Sequence, residues 1–340
     1  MSKGVLIIYT GGTIGMIQDP ETGSLKPFDF ENIATAVPEI SEFKFDIGHY
    51  TLPEIIDSSD INPESWKILC DVITEHYDNY SGFVILHGTD TMAYSASALS
   101  FMLQNLTKPI IFTGSQLPIG HIRTDGRENL LAAIQIAGAE ENGKPLVSEV
   151  CIFFGNKLMR GNRTTKLNAE RFDAFQSPNF PPLAEVGIHI TYNKPLIRHV
   201  TPTGPITADY RCDRNIVILK LFPGIKNEII ASVMETKGLR GVILESYGSG
   251  NAPSNQEFLT IINKAIQRGI VIYNVTQCMG GCVEMGRYAT SNAMLSIGVI
   301  GGYDITTEAA VCKLMCLAGR FENPEEIKKH LIYNLRGEIS

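Results

Sequence analysis

With 340 residues, 44% of them hydrophobic and 19% charged, the chain can bury sizeable cores, and its length suggests two domains. A net charge of −7, from 29 basic against 36 acidic residues, excludes the basic footprint of a nucleic-acid binder, and no apolar run approaches the roughly 18 residues of a membrane span. Seven cysteines behind an N-terminus without signal-peptide architecture point to free thiols in a reducing cytosol. Cys278 and Cys282 are four apart, as are Cys312 and Cys316. They lack C-x-x-C spacing and read as small buried hydrophobes, so no metal is expected.

Residues 5–16 read V-L-I-I-Y-T-G-G-T-I-G-M. The apolar run 5–9 fits a buried strand. Gly11 and Gly12 allow φ > 0 and close backbone approach, so Thr13 is presented on a tight loop at the carboxyl end of a strand. That is where open α/β sheets place ligands. Residues 19–27, rich in Pro, Gly and charge, read as an exposed segment placed to act as a lid. The alternation of Phe43, Phe45 and Ile47 predicts a strand over 43–50. Asp57-Ser58-Ser59 follows it, and Asn62-Pro63 predicts a helix with Asn as N-cap and Pro at N1.

Residues 82–86 form a second buried-type strand, ending in His87-Gly88-Thr89-Asp90-Thr91. A helix is expected over 92–104, a strand over 109–113, a helix capped by Asp125 and reaching residue 139, and a strand over 150–154. From 155 to 182 the periodicity breaks, and Arg160-Gly161-Asn162-Arg163-Thr164-Thr165-Lys166 is dense in polar and basic residues; loops this long are often functional. The alternation of strand and helix predicts an α/β fold, with a larger N-terminal domain (1–191) built on a mostly parallel sheet. A Pro- and Gly-rich stretch, 192–212, reads as the linker. A smaller C-terminal α/β domain (213–340) follows, with strands at 216–222, 241–245 and 270–275 and helices near 226–237, 255–267, 306–318 and 324–335.

If the strands before Thr13 and Thr89 are parallel neighbours, both loops open onto one crevice, and Asp57-Ser58-Ser59 can join them. Such a site suits a small zwitterion, with backbone N–H groups for its carboxylate and Asp90 for its ammonium. A Thr hydroxyl needs a base, and Lys166 is the natural candidate, since lysine pKa falls readily on desolvation. A Thr–Lys–Asp chain follows the logic of a catalytic triad with different members. Gly11-Gly12-x-x-Gly15 has the wrong spacing for a dinucleotide site, and neither a P-loop nor a G-x-S-x-G elbow is present. His87 and His121 read as structural rather than as bases.

Thr10-Gly11-Gly12-Thr13-Ile14-Gly15 resembles the first signature of the bacterial-type L-asparaginases, and residues 82–92 resemble the second, in the same order. The run 160–166, residues 172–184, 247–253 and 274–281 resemble the cytoplasmic type I branch. The resemblance implies hydrolysis of asparagine to aspartate and ammonia without metal or cofactor. It implies Thr13 as the acylated nucleophile, and Thr89, Lys166 and Asp90 as a proton-transfer set. Asp57, Ser58 and Ser59, with Thr89 and Asp90, match the substrate-binding positions. Asn251 matches a residue that the family contributes from the smaller domain of a neighbouring subunit, which implies an intimate homodimer, usually paired into a homotetramer.

Two departures stand out. The family's lid often carries a Tyr that reaches the nucleophile, but residues 23–27 hold none, leaving open which group deprotonates Thr13. Some relatives bind asparagine allosterically with an Arg where this chain has Glu245, a carboxylate that would face the ligand's own; Thr165 and Cys278 match other parts of that site. The alternatives are the amidase subunit of a tRNA-dependent amidotransferase and an asparagine-binding sensor. The amidotransferase relatives usually carry an additional N-terminal domain, for which a first strand at residue 5 leaves no room. Co-purification with a partner would favour that subunit, and binding without ammonia release would favour the sensor.

Overall fold

The computed structural model describes residues 3–18, 25–27, 37–287 and 289–340. Most of the expected lid, residues 19–24, therefore lies outside the described residues; Leu25–Pro27 pairs antiparallel with Met16–Gln18. The chain divides into two compact units, Met1–Asp209 and Tyr210–Ser340.

In the first unit, eight strands form one mixed sheet. They are β1 (Val5–Tyr9), β2 (Ile47–Thr51), β3 (Gly82–Leu86), β4 (Ile110–Thr113), β5 (Val150–Phe154), β6 (Lys157–Arg160), β7 (Ala184–Val186) and β8 (Ile190–Tyr192). Their order is β8-β7-β6-β5-β4-β3-β1-β2. The five strands from β2 across to β5 are parallel, and β6 to β8 extend the sheet antiparallel. Every residue of β1, β3, β4 and β5 is buried, as expected of apolar strands covered on both faces.

Crossover helices α1 (Pro63–His76), α2 (Met92–Met102) and α3 (Gly126–Ala137) complete the layers. Asn62 caps α1 by accepting from the amides of Glu64 and Ser65, with Pro63 in the first turn. All but one residue of α2 is buried, which its small residues (Ala93, Ala96, Ala98) permit.

Three expectations are corrected here. Residues 43–46 are not strand, because Phe43 and Phe45 turn onto the core and Phe45 fills the space over Gly138 at the end of α3. Asp125 sits at the N-cap position without capping. Its carboxylate instead accepts from the amides of Gln116 and Leu117, while Thr124 Oγ1 takes the Gly126 amide. In the stretch read as a linker, Tyr192 ends β8 and Thr207–Ala208 pairs with Leu103–Gln104, so the chain is folded with the first unit as far as Asp209.

The second unit is a four-stranded parallel sheet of β9 (Ile216–Lys220), β10 (Gly241–Ser246), β11 (Val271–Thr276) and β12 (Ile300–Gly301). Helices α4 (Asn227–Met234), α5 (Gln256–Gln267), α6 (Ala289–Ser296), α7 (Thr307–Arg320) and α8 (Pro324–Leu331) pack with it. The short β12 and α6 carry too few residues to show a period in sequence. Helix α7 holds Lys313, whose ammonium meets the Glu338 carboxylate at 2.6 Å with both side chains fully buried. Cys312 and Cys316 are buried as expected, but Cys278 and Cys282 are exposed because they lie on the loop after β11. Among the described residues, no helix is long and apolar enough to cross a membrane.

Candidate active site

Three strands end level with one another. Tyr9 of β1 pairs with Thr51 of β2 and with Leu86 of β3. The chain after each therefore leaves the sheet at the same edge, and Thr13, Asp57-Ser58-Ser59 and Thr89-Asp90 all lie on those exits. Thr10 clamps them together. Its amide and hydroxyl both donate to Leu86 O (3.0 and 2.9 Å), and its carbonyl accepts from the Ile56 amide at 2.8 Å.

Backbone contact then sets the spacing. Gly12, at φ +87°, lies so close to Gly88 that a Cβ would come within 2.5 Å of the Gly88 amide nitrogen. A Cβ on Gly88 would in turn meet Ser58 Oγ at 2.4 Å. Thr91 Oγ1 donates to Ser58 O at 2.6 Å and ties the third loop to the second. Below Thr13, a 3-10 turn over Thr13–Gly15 rests on Tyr9, whose hydroxyl donates to Gly15 O at 3.1 Å. Burial pushes the Tyr9 phenol up to about 12, so it stays protonated and serves as a prop.

Lys166 reaches these loops from 77 residues away in sequence. Its ammonium donates to Thr89 Oγ1 at 2.8 Å and to Asp90 Oδ1 at 2.6 Å. Lys166 is 16% exposed and Asp90 68%, so the pair opens toward solvent. The lysine is aimed by its own scaffold. Thr165–Lys166 pairs with Phe175–Gln176, and the preceding residues Arg160 to Thr164 are buried. Arg160 forms a 2.5 Å ion pair with Glu149, Thr164 Oγ1 donates to Arg160 O, and Arg163 donates to Asn179 O beside the Phe180 ring. What reads in sequence as a polar loop is thus a buried bracket.

Asp57 is exposed. Its Oδ1 accepts from the Ser59 amide and the Ser59 hydroxyl, both at 2.9 Å, and these bonds, the amide first, hold its carboxyl below the usual range. Ser58 is buried under Gly88 and Ser59 is exposed.

Sequence reasoning missed one supporting chain. His87 Nδ1 lies 2.6 Å from Gly88 O, which can only accept, so Nδ1 carries the proton. Nε2 then accepts from Ser95 Oγ at 2.9 Å, and Ser95 accepts from the Trp66 indole at 3.0 Å. Burial holds His87 down to about 4, so this chain is neutral and fixes the peptide just before Thr89. No signal short of the fold links Trp66, Ser95 and His87. His121, in contrast, is exposed.

The remaining candidates fall as follows. Asn251 belongs to the second unit, at the end of the turn after β10, and its Oδ1 accepts from Thr290 Oγ1 at 3.0 Å. The Glu245 carboxylate is held by Thr307 Oγ1 at 2.8 Å and by Lys220 Nζ at 3.3 Å. Thr165 pairs with Gln176 in the first unit, and Cys278 is exposed in the second. Among the described residues no group of three or more His, Cys, Asp or Glu is arranged to hold a metal ion.

The family description "Asparaginase, N-terminal" matches residues 4–198, and "Glutaminase/Asparaginase C-terminal domain" matches residues 215–331. L-asparaginase 1 of Escherichia coli is 46% identical over 345 residues, covering 99% of this chain and 98% of that protein. The human 60 kDa lysophospholipase is 41% identical over 99% of this chain, which spans 61% of that longer protein. The crystal structure of L-asparaginase I from Vibrio cholerae superposes with a TM-score of 0.90 at 40% identity, covering all of both chains.

Proposed function

The chain belongs to the asparaginase family of amidohydrolases, and from that premise we propose that it hydrolyses L-asparagine to L-aspartate and ammonia through an acyl-enzyme on Thr13. The observation that carries this reading is that Lys166 reaches Thr89 and Asp90 on the loop whose backbone, at Gly88, touches that of Gly12, next to Thr13.

Thr13 Oγ1 attacks the side-chain amide carbon, and its proton passes by way of Thr89 to Lys166, which receives it as a neutral amine after giving a proton to the Asp90 carboxylate it touches. Backbone N–H groups near Thr13 and Thr89 receive the oxyanion, each such donor being worth about 10²–10³ in rate. The C–N bond breaks as a proton reaches the leaving nitrogen, and ammonia departs. Water then attacks the ester by the same route and releases aspartate. Thr89 and Lys166 serve as the relay. Asp90 balances the Lys166 charge and receives the substrate ammonium, while Asp57, Ser58 and Ser59 position the substrate carboxylate. A second copy supplies Asn251, which makes the working form a homodimer or a dimer of dimers, and its setting is cytoplasmic. The reading uses no cofactor. Glu245 is already engaged by Lys220 and Thr307, which argues against an effector asparagine bound with Thr165, Glu245 and Cys278.

The test is initial ammonia release against asparagine concentration, with glutamine in parallel. A saturable hyperbolic asparagine curve is expected. A sigmoidal curve would restore the effector site. No release from either amide would overturn the reading in favour of the sensor or the amidotransferase subunit.

A further inference from the structure

The turn that carries Asn251 is held at each of its carbonyls. The Tyr247 amide donates to Asn251 O and the Asn251 amide to Tyr247 O, both at 2.8 Å, and the Gly250 amide also donates to Tyr247 O. The other carbonyls are taken by neighbouring segments. Gly248 O accepts from Thr276 Oγ1 at 2.6 Å, Ser249 O from the Glu284 amide at 3.0 Å, and Gly250 O from the buried Asn274 Nδ2 at 3.2 Å. Gly250, at φ +105°, is packed so tightly on Val283 that a Cβ would come within 2.7 Å. This backbone has little freedom left.

What the backbone does not fix is the rotation of the Asn251 amide about its last torsion, which is intrinsically broad. The hydroxyl of Thr290, in the first turn of α6, supplies that restraint by donating to Asn251 Oδ1 at 3.0 Å. A rotor pinned at one oxygen presents one end outward, and a polar group already aimed loses less entropy on binding.

We propose that Thr290 is a positioning residue for substrate binding: its hydroxyl fixes the orientation in which Asn251 meets the amino-acid substrate. The inference rests on the reading above, in which Asn251 contacts substrate in the site of a neighbouring copy. Thr290 itself touches no substrate.

The test measures KM and kcat for asparagine on the assembled protein, with mass by light scattering, for Thr290→Val, Thr290→Ser, Asn251→Ala and the double variant Thr290→Val/Asn251→Ala. Losing one neutral hydrogen bond is expected to raise KM about 3- to 10-fold in Thr290→Val with kcat within about twofold. Thr290→Ser restores the wild-type KM, and Thr290→Val adds nothing once Asn251 is Ala. A wild-type KM in Thr290→Val, an effect confined to kcat, or an effect undiminished in the Asn251→Ala background overturns the positioning role. A wild-type KM in Asn251→Ala alone overturns the substrate contact on which it rests. Loss of assembly in both Thr290 variants would show a structural role instead.

Discussion

Two lysine–carboxylate pairs, each closed at 2.6 Å, show how burial decides what an ion pair can do. In the second unit, Lys313 and Glu338 are sealed from water, and Lys313 also donates to Leu331 O and Tyr333 O. Glu338 also accepts from the amides of Leu335 and Arg336. Burial favours the protonated acid, but Lys313 and those two amides outweigh it, so Glu338 lies below its ordinary range. With its donors committed to fixed acceptors, the pair fastens the tail behind α8 to α7. In the first unit, Lys166 shares its protons between a carboxylate that is mostly in water and the hydroxyl of Thr89. That arrangement stabilises little and leaves the Lys166 protons on partners open to solvent rather than sealed among fixed acceptors.

The comparison predicts opposite phenotypes. The largest effect is expected at the proposed nucleophile: Thr13→Ala should lower kcat about 10⁴-fold or more with an unchanged melting curve, measured by ammonia release and calorimetry. Next, Lys166→Met should cost about 10²–10⁴ in kcat, with a smaller change in KM and a stability change under about 1 kcal/mol. A change confined to KM would make Lys166 a binding group and erase the distinction. Its counterpart, Glu338→Gln, should cost about 3–5 kcal/mol in denaturant unfolding because it strands a buried ammonium, while kcat of the folded enzyme is retained. Equal stability losses in Lys166→Met and Glu338→Gln would break the comparison.

The smallest effect concerns pH. His87 is held to about 4 against an ordinary value near 6.5, so the unfolded chain takes up its proton first as pH falls. The stability this neutral histidine contributes is complete above about 6.5 and is lost between about 6.5 and 4, amounting to about 3 kcal/mol. His87→Gln should flatten that part of the stability–pH curve. The kcat/KM profile of the wild type should show no inflection from His87 between pH 5 and 8.

The sequence revealed most where the physics is local. β1 and β3 are unbroken apolar runs ended by Gly and Thr, so both strands and their polar exits were readable without partners. Their adjacency is only a condition in the sequence; the pairing of β1 with β3, and of β1 with β2, is what brings the exits carrying Thr13, Ser58 and Thr89 to one edge. The approach of Lys166 was guessable only as chemistry, because nothing local encodes a contact across 77 residues. The run 160–166 reads only as a polar, basic loop, because nothing local shows that Arg160 is buried against Glu149 or Arg163 against Asn179. Asp125 looked like a cap because its type and position fit one. Two free amides at Gln116 and Leu117 outcompeted the helix for it.

The bracket that aims Lys166 also orders events in time. The placement of Lys166 rests on the pairing of Thr165–Lys166 with Phe175–Gln176, complete only at residue 176, whereas the residues of β1 and β3 are complete at residue 86. During synthesis the loop that carries Thr13 therefore emerges well before the bracket that holds Lys166 against Thr89 and Asp90.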